Sequence, residues 1–172
     1  MSSVGTYVEA SELRVYYEVY GKGEPLLLSH GGTTTSQFWA SHLPAFTERF
    51  RVFASDSRGH SKTDTPTGDL GYRAMADDAA ALIKALGLRR SLVLGYSVGG
   101  QIALELGMRY PGMAGALVLD GTQFRCSEAY LEAVRALLGI VDGEKVDTGK
   151  LEREQPDWVA YLREAQGDVY GL

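Results

Sequence analysis

An α/β fold built on a mostly parallel sheet is predicted for this chain of 172 residues. Three observations predict it: short unbroken apolar runs, helical patterns between them, and a glycine-flanked turn that carries one run straight into a helix. The runs are "LLLSH" (26–30), "RVFASD" (51–56), "SLVLGYS" (91–97) and "GALVLDG" (115–121). Unbroken apolar runs suit strands buried on both faces, and strands alternating with helices close right-handed crossovers around a parallel sheet.

Residues 13–19, "LRVYYEV", alternate apolar and polar side chains, as a strand with one face in water would, and "VGTYVEA" before them pairs back as a hairpin. After "GKGEP" comes the first buried strand. Trp39, His42, Leu43 and Phe46 then share a face at helical spacing, so a helix is expected with His42 packed in the core. A second helix is marked by Tyr72, Met75, Ala76, Ala79, Leu82, Ile83 and Leu86 and ends at Gly87. A third is marked by Val98, Ile102, Leu106 and Tyr110 and ends at Pro111 and Gly112. With the hairpin, six strands are expected.

Beyond Asp120 no further strand is expected. Residues 128–138 set Tyr130, Leu131, Val134, Leu137 and Leu138 on one helical face, and "VDGEKVDTGK" reads as a charged loop. Pro156 then opens a helix with Trp158, Tyr161, Leu162 and Ala165 on one side. The expected division is therefore a core over 1–123 and a helical tail over 124–172.

Composition excludes several classes. Hydrophobic residues at 45% and charged ones at 23% are ordinary globular values, so neither a disordered nor a fibrous chain is indicated. A net charge of -5 with no basic cluster repels phosphate backbones and anionic lipid, so nucleic acid and membrane are not expected partners. No apolar stretch approaches the roughly 18 residues of a membrane span, and "MSSVGTYVEA" lacks the layout of a signal peptide, which makes the cytoplasm the expected location. Cys126 is the only cysteine, so no intrachain disulfide or cysteine-rich metal site is expected and the thiol reads as incidental.

In "LVLGYSVGG" the strand must stop, reverse and enter a helix within about four residues, which forces Ser97 toward a strained backbone conformation. Gly95, Gly99 and Gly100 permit the close approach of backbone to backbone. Ser97 then projects from the strand tip at a helix N-terminus, where free N–H groups and the helix dipole favour a developing negative charge. Those are the needs of a nucleophilic serine.

In order and spacing, "LLLSHGG", "DSRGHSKTD" and "GYSVGG" resemble the α/β-hydrolase superfamily over residues 4 to 121. Their joint occurrence is far more specific than a lone Gly-x-Ser-x-Gly. The resemblance implies helices on both faces of the sheet and a helical lid inserted after the strand that ends at Asp120. It implies Ser97 as nucleophile, with the backbone N–H groups of Val98 and Gly32 as the oxyanion hole. Asp56, Arg58, Gly59 and His60 match the family turn after the fourth strand, where the motif is chiefly architectural. Asp120 is a candidate acid, with a loop or cap role as the alternative. Tyr96 and Trp158 are candidates for the substrate pocket, ordinary packing of the tail helix being the alternative for Trp158. The implied chemistry is cleavage of a carboxylic ester, lactone or similar acyl compound through an acyl-enzyme, with no metal or organic cofactor. Relatives that cleave carbon-carbon bonds, or act as perhydrolases or lyases, share the same elbow.

One part is missing. The family places its catalytic histidine after the last strand, whereas His30, His42 and His60 are the only histidines here and all precede Ser97. His30 reads as a hydrogen-bonded core residue and His60 as a turn residue. The strand 115–121 also lacks any Lys or Pro to guard an open edge. These two observations favour the N-terminal portion of a longer hydrolase, with the last two core strands absent and little activity on its own. The alternatives are completion by another chain pairing along 115–121, or a non-catalytic binding module.

Overall fold

The computed structural model describes residues 5–65, 69–123, 125, 127–137, 140–141, 145–146, 149, 152–153, 156–157 and 159–160. The chain divides into two compact units, Met1–Thr122 and Gln123–Leu172.

The first unit holds six strands in one sheet: β1 (Thr6–Ala10), β2 (Leu13–Tyr20), β3 (Glu24–Ser29), β4 (Phe50–Ser55), β5 (Ser91–Tyr96) and β6 (Ala114–Asp120). Their spatial order is β1-β2-β4-β3-β5-β6. β1 and β2 form the expected antiparallel hairpin, and β2 joins β4 antiparallel. The four remaining strands run parallel, so their C-terminal ends share one edge. That edge carries the loops after His30, Asp56 and Ser97, which is where an open parallel sheet places its ligands.

Helix α2 (Tyr72–Ala85) and helix α3 (Val98–Arg109) cover one face of the sheet. Met75, Ile83, Ile102 and Leu106 meet Leu27, Phe53 and Val93 there. Gly87, at φ +64, ends α2: its N–H donates to the Lys84 carbonyl at 3.0 Å and the Leu88 N–H donates to the Ile83 carbonyl at 2.9 Å. This is the paired capping pattern that glycine favours, because only it enters the left-handed region without steric cost. On the opposite face Leu26, Leu28 and Val52 pack under Trp39 and Leu43. The odd and even residues of β3 thus serve two different cores, as a strand buried on both faces must.

Four expectations for the first unit need correction. The helix predicted around Trp39 is a 3₁₀ turn, Ser36–Trp39, followed by a separate short helix α1 (Leu43–Thr47). Pro44 has no N–H and restrains the residue before it, so it begins a helix rather than continuing one. His42 is exposed at that junction, its ring lying over Phe38 and Phe46 instead of entering the core. The face of β2 expected in water is largely covered: Tyr16 and Glu18 are buried, Glu18 at 5% exposure. Finally, β6 is not buried on both faces. Among the described residues it pairs with β5 alone, and Val118 and Leu119 are 52% and 41% exposed.

In the second unit, helix α4 (Glu128–Leu137) matches the predicted tail helix. The predicted loop instead contains a two-residue ladder, with β7 (Ile140–Val141) paired antiparallel to β8 (Lys145–Val146). β-branched residues flanking an Asp-Gly pair are the hairpin signal that the charged-loop reading passed over. Trp158, Tyr161, Leu162, Ala165 and Cys126 lie outside the described residues. Among the described residues no helix is long and apolar enough to cross a membrane.

Candidate functional site

Ser97 sits between β5 and α3 with φ 52 and ψ -112. No left-handed helix or extended strand accommodates that pair of angles, and holding a serine there costs on the order of 1–3 kcal/mol. The neighbourhood explains how the strain persists. The Ser97 N–H donates to the Asp120 carbonyl at 2.8 Å, and the Ser97 carbonyl accepts from the N–H groups of Gly100 and Gln101 at 3.0 and 3.2 Å. A Cβ on Gly95 would overlap the Gly99 carbonyl, and one on Gly99 would overlap the Ser29 carbonyl. Serine at a helix N-cap normally turns its hydroxyl onto a backbone N–H two or three residues on, but this hydroxyl caps nothing.

Two glycines face it. A Cβ on Gly31 would lie 3.6 Å from the Ser97 Cβ and 3.0 Å from the Tyr96 ring, and one on Gly32 would lie 2.9 Å from the Val98 Cγ2. Gly32 and Val98 are therefore neighbours beside the turn from β5 into α3. The Gly31 carbonyl accepts from three donors: His30 Nδ1–H at 2.7 Å, Thr34 Oγ1–H at 2.9 Å and the Thr34 N–H at 3.4 Å.

His30 is buried and fully engaged. Since a carbonyl only accepts, its Nδ1 carries the proton, and its Nε2 accepts from the Ser57 N–H at 3.0 Å. Burial, together with the neighbouring His60, pushes its pKa down to about 4. This neutral ring ties the Gly31 loop to the turn after β4 and has no free nitrogen with which to serve as a base.

The turn itself is held by Asp56, whose carboxylate is buried. Oδ1 accepts from the Ser36 N–H at 2.7 Å and Oδ2 from the Lys62 N–H at 3.3 Å. His60 donates from Nδ1 to the Arg58 carbonyl at 2.9 Å and packs edge-on against His30, with ring centroids 5.0 Å apart. Arg58 forms a two-pronged pair with Asp78 of α2 at 2.5 and 2.6 Å. These contacts fit the architectural reading of the motif.

Asp120 ends β6 opposite Tyr96 and is exposed. Its backbone carbonyl accepts from the Ser97 N–H, and the Thr122 hydroxyl lies 3.1 Å from the Asp120 carbonyl and 3.3 Å from that of Ser97. Among the described residues no histidine is hydrogen-bonded to Asp120. Tyr96 is half-buried, stacked on Phe38 with centroids 4.6 Å apart and planes at 14°. Phe38 was missed in the sequence because its neighbour Trp39 carried the apolar spacing.

Glu18 was also missed. The hydroxyls of Tyr16 and Tyr20 donate to it at 2.6 and 2.5 Å, and the Gln37 amide donates at 3.2 Å. A buried carboxylate requires such donors, and here they fasten the 3₁₀ turn after the Gly31 loop to β2. Tyrosines two residues either side of a strand carboxylate are the signal that reveals it. Among the described residues no group of three or more His, Cys, Asp or Glu is placed to hold a metal.

Comparison with known proteins agrees with this geometry. A family model described as the alpha/beta hydrolase fold matches residues 24–144. RutD of Azorhizobium caulinodans, assigned to carbamate hydrolysis by name only, is 29% identical over 161 residues, 90% of this chain and 60% of its own. The crystal structure of a hydrolase from Pseudomonas aeruginosa superposes with a TM-score of 0.73 at 26% identity, covering 94% of this chain and 66% of that one. CarC, a serine hydrolase involved in carbazole degradation, gives 0.74 at 25% identity over 97% of this chain and 65% of its own. The chain thus spans about two-thirds or less of the length of each of these relatives. With the family model matched from β3 past β6, through both glycine loops and the elbow, the chain belongs to the α/β-hydrolase fold family.

Proposed function

We propose that this chain carries the nucleophile and oxyanion site of a serine hydrolase acting on a carboxylic ester, lactone or related acyl compound. The observation that carries the reading is the strained Ser97 whose hydroxyl caps nothing, facing Gly31, with Gly32 packed against the next residue, Val98. Ser97 Oγ would attack the acyl carbon, and the N–H groups of Val98 and Gly32 would hold the resulting oxyanion, each worth about 3 kcal/mol of barrier. The alcohol would leave, and water would release the acid from the acyl-serine. The names of the relatives, carbamate hydrolase and serine hydrolase among them, support acyl chemistry of this kind. Tyr96 would wall the acyl pocket, Trp158 remains a candidate from the sequence, and Asp120 is a candidate acid.

The base is proposed to come from outside these 172 residues, since no histidine follows His60. The test is hydrolysis of an activated aryl acetate by this chain and by a form extended with family-type strands that carry the histidine. Low turnover in the short form, much higher turnover in the long form and its loss in Ser97→Ala are expected. Equal turnover in both forms would contradict the proposal.

A second reading is favoured by β6, whose apolar edge and exposed Val118 and Leu119 suit strand addition by another polypeptide. A bound strand with no histidine near Ser97 would make the chain a binding module. A histidine from that strand beside Ser97 would make it half of a split enzyme.

A further inference from the structure

We infer that Thr34 is a positioning residue of the oxyanion site, its buried hydroxyl fixing the peptide plane that presents the Gly32 N–H. The inference rests on the reading of Ser97 as nucleophile. Within a trans peptide the carbonyl and the following N–H point in opposite directions, so whatever fixes the Gly31 carbonyl fixes the Gly32 N–H.

That plane needs fixing. It is flanked by two glycines, which tolerate rotation on either side of the peptide because neither carries a Cβ. A side chain at 31 would press on the Tyr96 ring and one at 32 on the Val98 Cγ2, so close contact with both favours glycine at each position. The same choice leaves the donor between them loosely oriented. The next residue, Thr33, is in the left-handed region at φ 60, a further strain that must be resisted locally.

The resistance comes from Thr34. Its hydroxyl donates to the Gly31 carbonyl at 2.9 Å, its N–H reaches the same oxygen at 3.4 Å, and the residue is 8% exposed. Thr34 is itself held from the far side, because Ser36 donates its N–H to Asp56 and Gln37 its amide to Glu18. His30 Nδ1 donates to the same oxygen at 2.7 Å and lies 3.4 Å from the Thr34 hydroxyl, so two adjacent donors hold the Gly31 carbonyl where one alone would leave it more freedom.

The test compares Thr34→Val, which keeps shape and removes the hydroxyl, with Thr34→Ser, which restores it. In the ¹⁵N-labelled chain the Gly32 amide should shift and exchange faster in Thr34→Val, and stay near its parent values in Thr34→Ser. Phosphonylation of Ser97 by an aryl fluorophosphonate should slow roughly tenfold at saturation in Thr34→Val, with the half-saturating concentration within about twofold, and recover in Thr34→Ser. If Thr34→Val does not fold, Thr34→Ala gives the same comparison. An unmoved Gly32 amide, or a Thr34→Ser variant as slow as Thr34→Val, would overturn the inference. Labelling that persists in Ser97→Ala would overturn the nucleophile reading instead, and the amide result would still decide the role of Thr34 in setting the peptide plane.

Discussion

Gly99, in the first turn of α3, lies so close to the carbonyl oxygen of Ser29 at the end of β3 that no side chain fits between them. Two backbones meet there, so neither can swing aside as a flexible side chain would. Helix propensity alone would favour Gly99→Ala by about 1 kcal/mol. Overlap with a carbonyl costs more, about 3 kcal/mol, and forces α3 away from the sheet. Gly99→Ala is expected to lose about 2 kcal/mol or more in urea unfolding, and a neutral or stabilised variant would show that the contact is looser than described.

Two ion pairs anchor α2, and they should differ in weight. Arg58 grips Asp78 through two bonds with side chains 15% and 14% exposed, and also donates to the Asp69 carbonyl at 2.7 Å. The hydrogen bond to Asp78 holds the Arg58 pKa above its ordinary value. Arg109 meets Asp77 at 2.6 Å with side chains 36% and 44% exposed. The sheltered pair keeps the fork geometry that lysine cannot reproduce, whereas the open one is screened by water. Arg58→Lys should cost roughly 1–3 kcal/mol and Arg109→Lys under about 1 kcal/mol. Thermal or urea unfolding of both variants checks the order, and equal losses would contradict it.

Stability should depend on pH through His30. Its pKa in the folded chain is about 4, against 6.5 for the free side chain, because burial and the neighbouring His60 disfavour the charged ring. The unfolded chain therefore binds a proton between those values and the folded chain does not. The contribution is fully present above pH 6.5 and declines as pH falls toward 4, by about 3 kcal/mol in all. Unfolding free energies from pH 7.5 to 4.5 should show this slope, and His30→Gln should flatten it. An unchanged slope in the variant would place the effect elsewhere.

Much of this was legible in the chain. Four apolar runs set the parallel strands, Gly87 the end of α2, and the spacing of His30, Asp56 and Ser97 the edge where their loops converge. What escaped notice depended on contacts between distant segments. Glu18 looks like a solvent residue in an alternating strand, and becomes buried only because Gln37 and Lys62 arrive from other loops. His42 keeps helical spacing with Trp39, yet Pro44 restarts the helix and leaves it outside. Thr34 is one of three consecutive threonines, and nothing local distinguishes the hydroxyl that turns back onto Gly31.

The reactivity of Ser97 is the direct test of the site. Oxyanion donors and a positioned serine retain part of their effect without a complete triad, on the order of a thousandfold over water in serine proteases lacking one member. Treating the folded chain with an aryl fluorophosphonate and mapping the adduct by mass spectrometry should find it on Ser97, ahead of every other serine, and absent from Ser97→Ala and from the chain in urea. An adduct scattered over exposed serines, or a folded chain labelled no faster than an unfolded one, would contradict the assignment of Ser97 as a nucleophile.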